Sequence, residues 1–272
     1  MTNTAGLRIC SSPKPNTVIK MPRIPSEKTV VVVPCYNEEL RFPKQSYLDF
    51  VRQVSGFKFL FVDDGSTDNT FQILSDIKAK EPNRFEILKL ERNSGKAEAV
   101  RQGFVSGMND FSIEFLAFWD ADLATPLKLL LDFMTVFQER SEIEMVIGAR
   151  VKLMGRNINR HAYRHYLGRI FATFASLVLN LSIYDTQCGA KVFRVTPMLK
   201  KIFNRPFKSK WIFDVEILAR YMKEKQITSS ETGNLIYELP LSEWQDVAGS
   251  KLRLKDYLTA CLELIQIYFT YR

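Results

Sequence analysis

The sequence predicts an α/β fold, a mostly parallel sheet with helices on both faces, completed by amphipathic helices toward the C-terminus. Three observations carry this reading. Short apolar runs alternate with helix-compatible stretches four times between residues 29 and 119, the pattern of βαβ units with right-handed crossovers. Three of those runs lead into polar clusters with acidic residues, at Cys35 to Glu39, Asp63 to Asp68 and Asp120 to Asp122. Two later stretches set a narrow polar stripe beside a wide apolar arc, as amphipathic helices do.

Residues 1–27 carry Pro13, Pro15, Pro22 and Pro25 without apolar periodicity, so a flexible leader or a strap is expected there. Thr29 to Pro34 is a β-branched run ended by proline, the mark of a buried parallel strand. A helix is expected from about Gln45 to Val54, then a second strand over Phe57–Val62. Thr67 or Asp68 can cap a helix from Asn69 to Lys80. Phe85–Leu90 reads as a strand, Gly95–Met108 as a helix and Phe115–Trp119 as a fourth strand running into Asp120-Ala-Asp122. A helix over 127–140 and a strand over Glu144–Gly148 follow. Sheets of this kind bind ligands beyond the carboxyl ends of their strands, and that is where the acidic clusters fall.

Past Ala149 the character changes. No Asp or Glu occurs before Asp185, while Arg150, Lys152, Arg156, Arg160, Arg164 and Arg169 crowd together. A helix from Arg160 to Leu181 aligns His165, Arg169, Thr173, Ser176 and Asn180 beside Ile170, Phe171, Phe174, Leu177, Val178 and Leu181. Near the end, Thr259, Glu263, Gln266 and Thr270 line one face, with Leu258, Leu262, Leu264, Ile265, Ile267, Tyr268 and Phe269 around the rest. Arcs this wide, with cations beside them, suit a helix lying in a membrane interface.

The chain has 38 Lys plus Arg against 30 Asp plus Glu, a net charge of +8, which favours acidic partners. Nucleic acid is not expected, because neither a groove-reading helix nor a stacking-aromatic motif accompanies the charge. Cys10, Cys35, Cys188 and Cys261 are scattered and have no zinc-like spacing, so a reducing compartment is expected. No stretch reaches ~18 uncharged apolar residues, and the N-terminus lacks a signal-peptide core. The expectation is a cytoplasmic protein, peripheral on the cytoplasmic membrane face.

Asp120 and Asp122, spaced i, i+2 at a strand end, can both reach a divalent cation. Hard oxygen ligands suit Mg²⁺ or Mn²⁺, either of which can bridge to a diphosphate. Asp64 can accept an N–H from a nucleobase. Asn93-Ser-Gly-Lys96 lacks Walker A spacing, yet Lys96 and the helical N–H groups behind it can meet a phosphate or sugar. His161 and His165 have a zinc-chelating i, i+4 spacing, but the arginines around them repel a cation.

Four segments carry a family likeness in order and spacing. They are Val33-Pro-Cys-Tyr-Asn-Glu-Glu39, Val62-Asp-Asp-Gly-Ser-Thr-Asp68, Asn93-Ser-Gly-Lys96 and Trp119-Asp-Ala-Asp122. Together they resemble the inverting family-2 glycosyltransferases of the GT-A, Rossmann-like fold. Gly148-Ala-Arg150, Asp185-Thr-Gln-Cys-Gly-Ala-Lys-Val-Phe-Arg194, Trp211-Ile-Phe-Asp214-Val-Glu216, and Trp244 followed by Gly249-Ser-Lys251 narrow the resemblance. They are similar to the dolichyl-phosphate glucosyltransferases and their mannose-transferring relatives. The mannose branch has Gln where this chain has Ala124, which favours the glucose branch.

The resemblance implies a GT-A domain over 28–255, with a donor half (28–125) and an acceptor half (126–255), followed by an amphipathic helix over 256–272. It implies that Pro34, Tyr36, Asn37, Glu38 and Asp64 hold the nucleoside of a nucleotide-sugar donor, UDP-glucose for this branch. Asp120 and Asp122 hold the diphosphate through the metal. Arg150, Arg164, Arg194 and Lys251 meet donor diphosphate or acceptor phosphate, and Trp211, Asp214 and Glu216 line the acceptor side. A polyprenyl phosphate acceptor is already ionised and needs no general base. A glycan hydroxyl, the alternative acceptor, needs one, with Asp214 the first candidate and Asp185 the second. A basic membrane- or nucleic-acid-binding module without catalysis is the remaining alternative.

Overall fold

Val31, Val32 and Val33 are fully buried, so neither face of their strand meets water. That strand, Thr29–Cys35 (β1), is flanked in parallel by Phe57–Asp63 (β2) and Phe115–Trp119 (β4). Phe85–Lys89 (β3) extends the sheet beyond β2 in parallel. The computed structural model describes residues 28–110, 112–159, 162–247 and 254–271, with only the backbone of 162–165 and 254–258. The expected leader over 1–27, Lys251, His161 and the side chains of Arg164 and His165 lie outside the described residues.

The helices on this half are Lys44–Gln53 (α1), Thr70–Lys80 (α2) and Lys96–Gly107 (α3). A 3-10 turn at Leu127–Leu129 opens Leu130–Glu139 (α4). Each expected element is present, with ends displaced by a residue or two. Asn69, rather than Thr67 or Asp68, occupies the N-cap position of α2. Asp68 still accepts the Thr70 N–H at 3.0 Å.

The second half departs further from expectation. Met145–Ala149 (β5), Asn157–Asn159 (β6), Ala190–Arg194 (β7), Ile236–Pro240 (β8) and Glu243–Gln245 (β9) complete the strands. The main sheet runs β3-β2-β1-β4-β7-β5-β8, and β6 with β9 forms a separate pair. Within the main sheet β7 alone is antiparallel, to β4 and to β5. It carries Lys191 and Arg194 in a five-residue run, which hides it from a search for apolar strands. It also joins the two expected halves directly, since Trp119 of β4 pairs with Ala190 of β7.

Two apolar cores result, one on each face. Beneath α1, α2 and α4 lie Val31, Val33, Phe59, Phe61, Leu74, Phe133 and Val146. The other face holds Val32, Val62, Phe104, Phe118 and Phe193, covered by α3 and by four later helices. Those are Ala162–Leu179 (α5), Pro197–Phe203 (α6), Phe213–Lys225 (α7) and Leu254–Tyr271 (α9). Ser229–Leu235 (α8) leads into β8.

The two amphipathic helices split as their arcs suggested. In α5, Phe171, Ala172, Ala175 and Leu179 are buried, while Ile170, Phe174 and Leu177 are exposed. In α9, Ala260, Leu264 and Ile267 are buried, while Leu262, Ile265 and Phe269 face outward, Phe269 at 80% exposure. The polar stripe of α9 is not a water-facing one throughout, because Glu263 points inward and is 9% exposed. Among the described residues no helix is long and apolar enough to cross a membrane.

Helix α3 lies close against the sheet because Gly103 has no side chain. A Cβ there would sit 2.3 Å from a Val32 methyl and 2.9 Å from a Val62 methyl. Both valines are fully buried, so neither can yield. Gly103→Ala is expected to cost about 1–3 kcal/mol through overpacking, read as a lower denaturant midpoint at unchanged slope.

Candidate active site

The register of the sheet assembles the acidic clusters. Pro34 pairs with Val62 and Cys35 with Asp63, while Val32 pairs with Phe118. The turns after β1, β2 and β4 therefore leave the sheet at one level of one edge.

The first two turns are stitched together. Asn37 takes a left-handed φ of 50°, its N–H donates to Ser66 Oγ at 3.1 Å, and its Oδ1 accepts the Thr67 N–H at 2.9 Å. Glu38 N–H donates to Thr70 Oγ1 at 2.7 Å, and Glu39 N–H to Asp68 Oδ2 at 3.1 Å. Glu38 is buried and both its oxygens meet the Arg41 guanidinium. Asn37 Oδ1 and both carboxylate oxygens of Glu38, residues expected on the nucleoside, are thus engaged within the chain. Pro34 and Tyr36 stand half-buried at the same edge.

Asp64 is 3% exposed and accepts two backbone N–H groups, from Ser94 at 2.7 Å and Gly95 at 2.8 Å. Burial pushes its carboxyl up, and those N–H groups pull it part of the way back. Asp64 therefore shapes the turn that delivers Lys96 at the start of α3. The Lys96 ammonium lies 2.6 Å from Asp120 Oδ1 and over the Phe118 ring. Burial acts to lower its pKa, but Asp120, with Asp214 and Asp122 behind it, outweighs this and raises it.

The Asp120–Asp122 turn is braced from below. Trp119 Nε1 donates to the Thr125 carbonyl at 2.7 Å, and the Tyr47 hydroxyl to the Ala121 carbonyl at 3.3 Å. The Asp120 N–H donates to the Gly189 carbonyl at 2.9 Å. Asp122 is pushed up by burial and then by the charge of Asp120. Its Oδ2 lies 3.5 Å from Arg41 Nη1. These two carboxylates could hold a divalent cation. Among the described residues no cluster of three or more acidic, histidine or cysteine side chains could do so alone.

Opposite them stand two further ion pairs. Arg150 grips Asp185 through Nε at 2.6 Å and Nη2 at 2.8 Å, and its backbone N–H adds a third bond at 3.1 Å. Burial acts against the Arg150 charge, but Asp185 outweighs it and holds the guanidinium well above its usual range. Asp214, 7% exposed in the first turn of α7, lies 2.6 Å from Lys191 Nζ. Burial pushes Asp214 up, and Lys191 opposes that.

Two expectations are corrected. Arg194 pairs with Phe115, at the far end of β4 from Asp120. Its guanidinium donates to the carbonyls of Ile143 and Ser141 and covers the rings of Phe115 and Phe137. The antiparallel course of β7 carries Arg194 to the opposite edge and leaves Lys191, three residues earlier, at the site. Glu216 does not line an acceptor surface. It is fully buried and bonded to Arg220, Tyr271, Ser209 and Lys208. Trp211, by contrast, is partly exposed ahead of α7.

Lys191, Arg41 and Glu238 are the residues that sequence reasoning missed. Lys191 lay inside a quoted motif but needed the strand direction to stand out. Glu238 of β8 accepts the N–H of Tyr184 at 2.8 Å and of Asp185 at 2.9 Å, so it seats the residue that seats Arg150. Beside Arg150, a recess between α5 and residues 184–187 is lined by Arg169, Phe171, Tyr184 and Thr186. Arg169 donates to the Tyr184 carbonyl at 2.9 Å and lies over its ring.

The glycosyl transferase family 2 model matches residues 30–200 of this chain. The dolichyl-phosphate beta-glucosyltransferase of Saccharomyces cerevisiae is 34% identical, over 89% of this chain and 74% of that protein. The Drosophila melanogaster protein of the same name is 35% identical, over 84% of this chain and 70% of its own length. Among solved structures, glucosyl-3-phosphoglycerate synthase of Mycobacterium tuberculosis, crystallised with Mn²⁺, UDP and glucosyl-3-phosphoglycerate, superposes with a TM-score of 0.62 at 16% identity. That superposition covers 90% of this chain and 80% of the other. The family match spans well over half of the sequence and the sheet topology agrees with it: the chain belongs to glycosyl transferase family 2 and is a glycosyltransferase of the GT-A fold.

Proposed function

We propose that this glycosyltransferase moves glucose from UDP-glucose to a dolichyl or other polyprenyl phosphate, with inversion, at the cytoplasmic face of a membrane. The observation that carries the reading is the two-sided character of α5. One side, with Arg169, lines a recess together with Arg150, and the other exposes Ile170, Phe174 and Leu177. The first offers cations to an anionic head group, and the second offers an apolar surface to lipid. The names of the yeast and fly relatives support glucosyl transfer to dolichyl phosphate.

Asp120 and Asp122 fit a divalent ion such as Mg²⁺ or Mn²⁺. They are two hard carboxylates whose proximity and burial already push Asp122 up, and a cation relieves both effects. Two protein carboxylates suffice for an ion that completes its shell with substrate phosphates and water. When bound, such an ion stabilises charge on the departing diphosphate. Lys96 and Arg41 add positive side chains at the same edge, where charge develops as UDP leaves. An acceptor phosphate oxygen forms the new bond to the anomeric carbon from the side opposite the diphosphate, which departs with the bonding pair and inverts the centre.

A hydroxyl acceptor, the alternative, would need a base. Both oxygens of Asp185 are bridged by Arg150, and Asp214 is paired with Lys191. Cations on both candidates support an acceptor that is already ionised.

Asp122→Asn is expected to lower transfer about 10³-fold or more with the fold retained. The assay is labelled UDP-glucose with Mn²⁺ and a polyprenyl phosphate. Label arriving on a glycan hydroxyl, with none on the lipid, would overturn the acceptor assignment. Gly189→Ala is expected to do similar damage by displacement, because a Cβ at Gly189 would fall 1.7 Å from Asp120 Oδ2. Circular dichroism should show the fold intact in that variant while transfer is lost. Replacing Phe174, Leu177 and Phe269 together by Ser is expected to abolish co-sedimentation with anionic phospholipid vesicles, leaving thermal stability little changed.

A further inference from the structure

Residues 208–212 precede α7 and include the partly exposed Trp211, three residues ahead of Asp214. Five consecutive backbone N–H groups in this segment are held by two buried carboxylates. Glu216 accepts from Lys208 at 3.1 Å and Ser209 at 2.8 Å. Glu263 accepts from Lys210 at 2.9 Å, Trp211 at 3.1 Å and Ile212 at 3.2 Å. Glu216 belongs to α7 itself. Glu263 comes from α9, some 50 residues later, whose last turn also reaches back through the Tyr271 hydroxyl to Glu216 Oε1 at 2.7 Å.

An inward carboxylate on an amphipathic helix is costly to desolvate. A helix that served only to cover the core or rest on a lipid surface would do better with Leu or Gln at this position. Among the described residues, Glu263 is the α9 side chain placed on the Lys210–Ile212 amides. It fixes where Trp211 projects and where α7, with Asp214 in its first turn, begins. Asp214 is in turn the partner of buried Lys191 and lies within electrostatic reach of Lys96 and Asp120.

We infer that Glu263 is a positioning residue for the acceptor side of the transfer reaction, acting through residues 210–212 on Trp211 and Asp214. Helix α9 is thereby a working part of the acceptor site as well as a surface element. The inference rests on the proposed lipid-phosphate transfer for its kinetic consequences, and on the geometry alone for the ordering of Trp211.

The test compares the full chain with Glu263→Gln and Glu263→Asp. With UDP-glucose, Mn²⁺ and a short-chain polyprenyl phosphate in detergent micelles, Glu263→Gln is expected to raise the acceptor KM about tenfold. The donor KM should stay within about twofold, and Glu263→Asp, which keeps the charge, should recover much of the loss. Acrylamide quenching of Trp211, assigned by difference against Trp211→Phe, should increase in Glu263→Gln. A variant that only melts earlier, with both KM values, kcat and quenching unchanged, overturns the inference, as does an equal loss on donor and acceptor. If the unaltered chain glucosylates no polyprenyl phosphate, the transfer reading fails, and Trp211 quenching still decides the positioning role. If Glu263→Gln does not fold, hydrogen exchange on the unaltered chain decides instead. Amides 210–212 exchanging as slowly as those of α7 support the inference, and exchange at open-loop rates overturns it.

Discussion

Buried or half-buried carboxylates that accept backbone N–H groups are the interaction on which the site depends. Asp64 holds Ser94 and Gly95, Glu238 holds Tyr184 and Asp185, and Glu216 with Glu263 holds residues 208–212. None of these stretches is regular structure, so their amides have no helix or ladder carbonyl to meet. A charge-assisted bond from an ionised oxygen is stronger than a neutral one and shorter, which makes it suited to fixing a loop.

Each carboxylate in this set holds a segment that bears a reactive or cationic side chain. Asp64 sets Lys96, Glu238 sets Asp185 and through it Arg150, and Glu263 sets Trp211 and the start of α7. The result is an edge where charges are arranged before any ligand arrives. Lys96, Arg41, Arg150 and Lys191 each already have an acidic partner. Preorganised charge of this kind does not have to be reoriented when a diphosphate leaves. It also explains why Glu216, read from the sequence as an acceptor contact, is a scaffold residue.

Much of the fold was legible because its first half obeys simple rules. The run from Val30 to Val33 is too apolar to be anything but a central strand, and each strand there is followed by a helix and pairs in parallel with at least one neighbour. The acidic pair at Asp120 and Asp122 could be read as a site because a strand as apolar as Phe115–Trp119 points its end at one place. Illegible were β7 and β8, whose Lys191, Arg194 and Glu238 break the apolar pattern, and the inward turn of Glu263, which local periodicity assigns to a polar face.

By itself the sequence determined the parallel core, the edge at which its acidic clusters meet and the two amphipathic helices, because each follows from local pattern and from the short reach of a βαβ connection. Tertiary structure alone decided which charges face one another. The reversal of β7 moved Arg194 away and brought Lys191 in, and a carboxylate 50 residues downstream came to hold the segment before α7. Such pairings depend on strand direction and on contacts between residues distant in the chain, and spacing along a sequence carries neither.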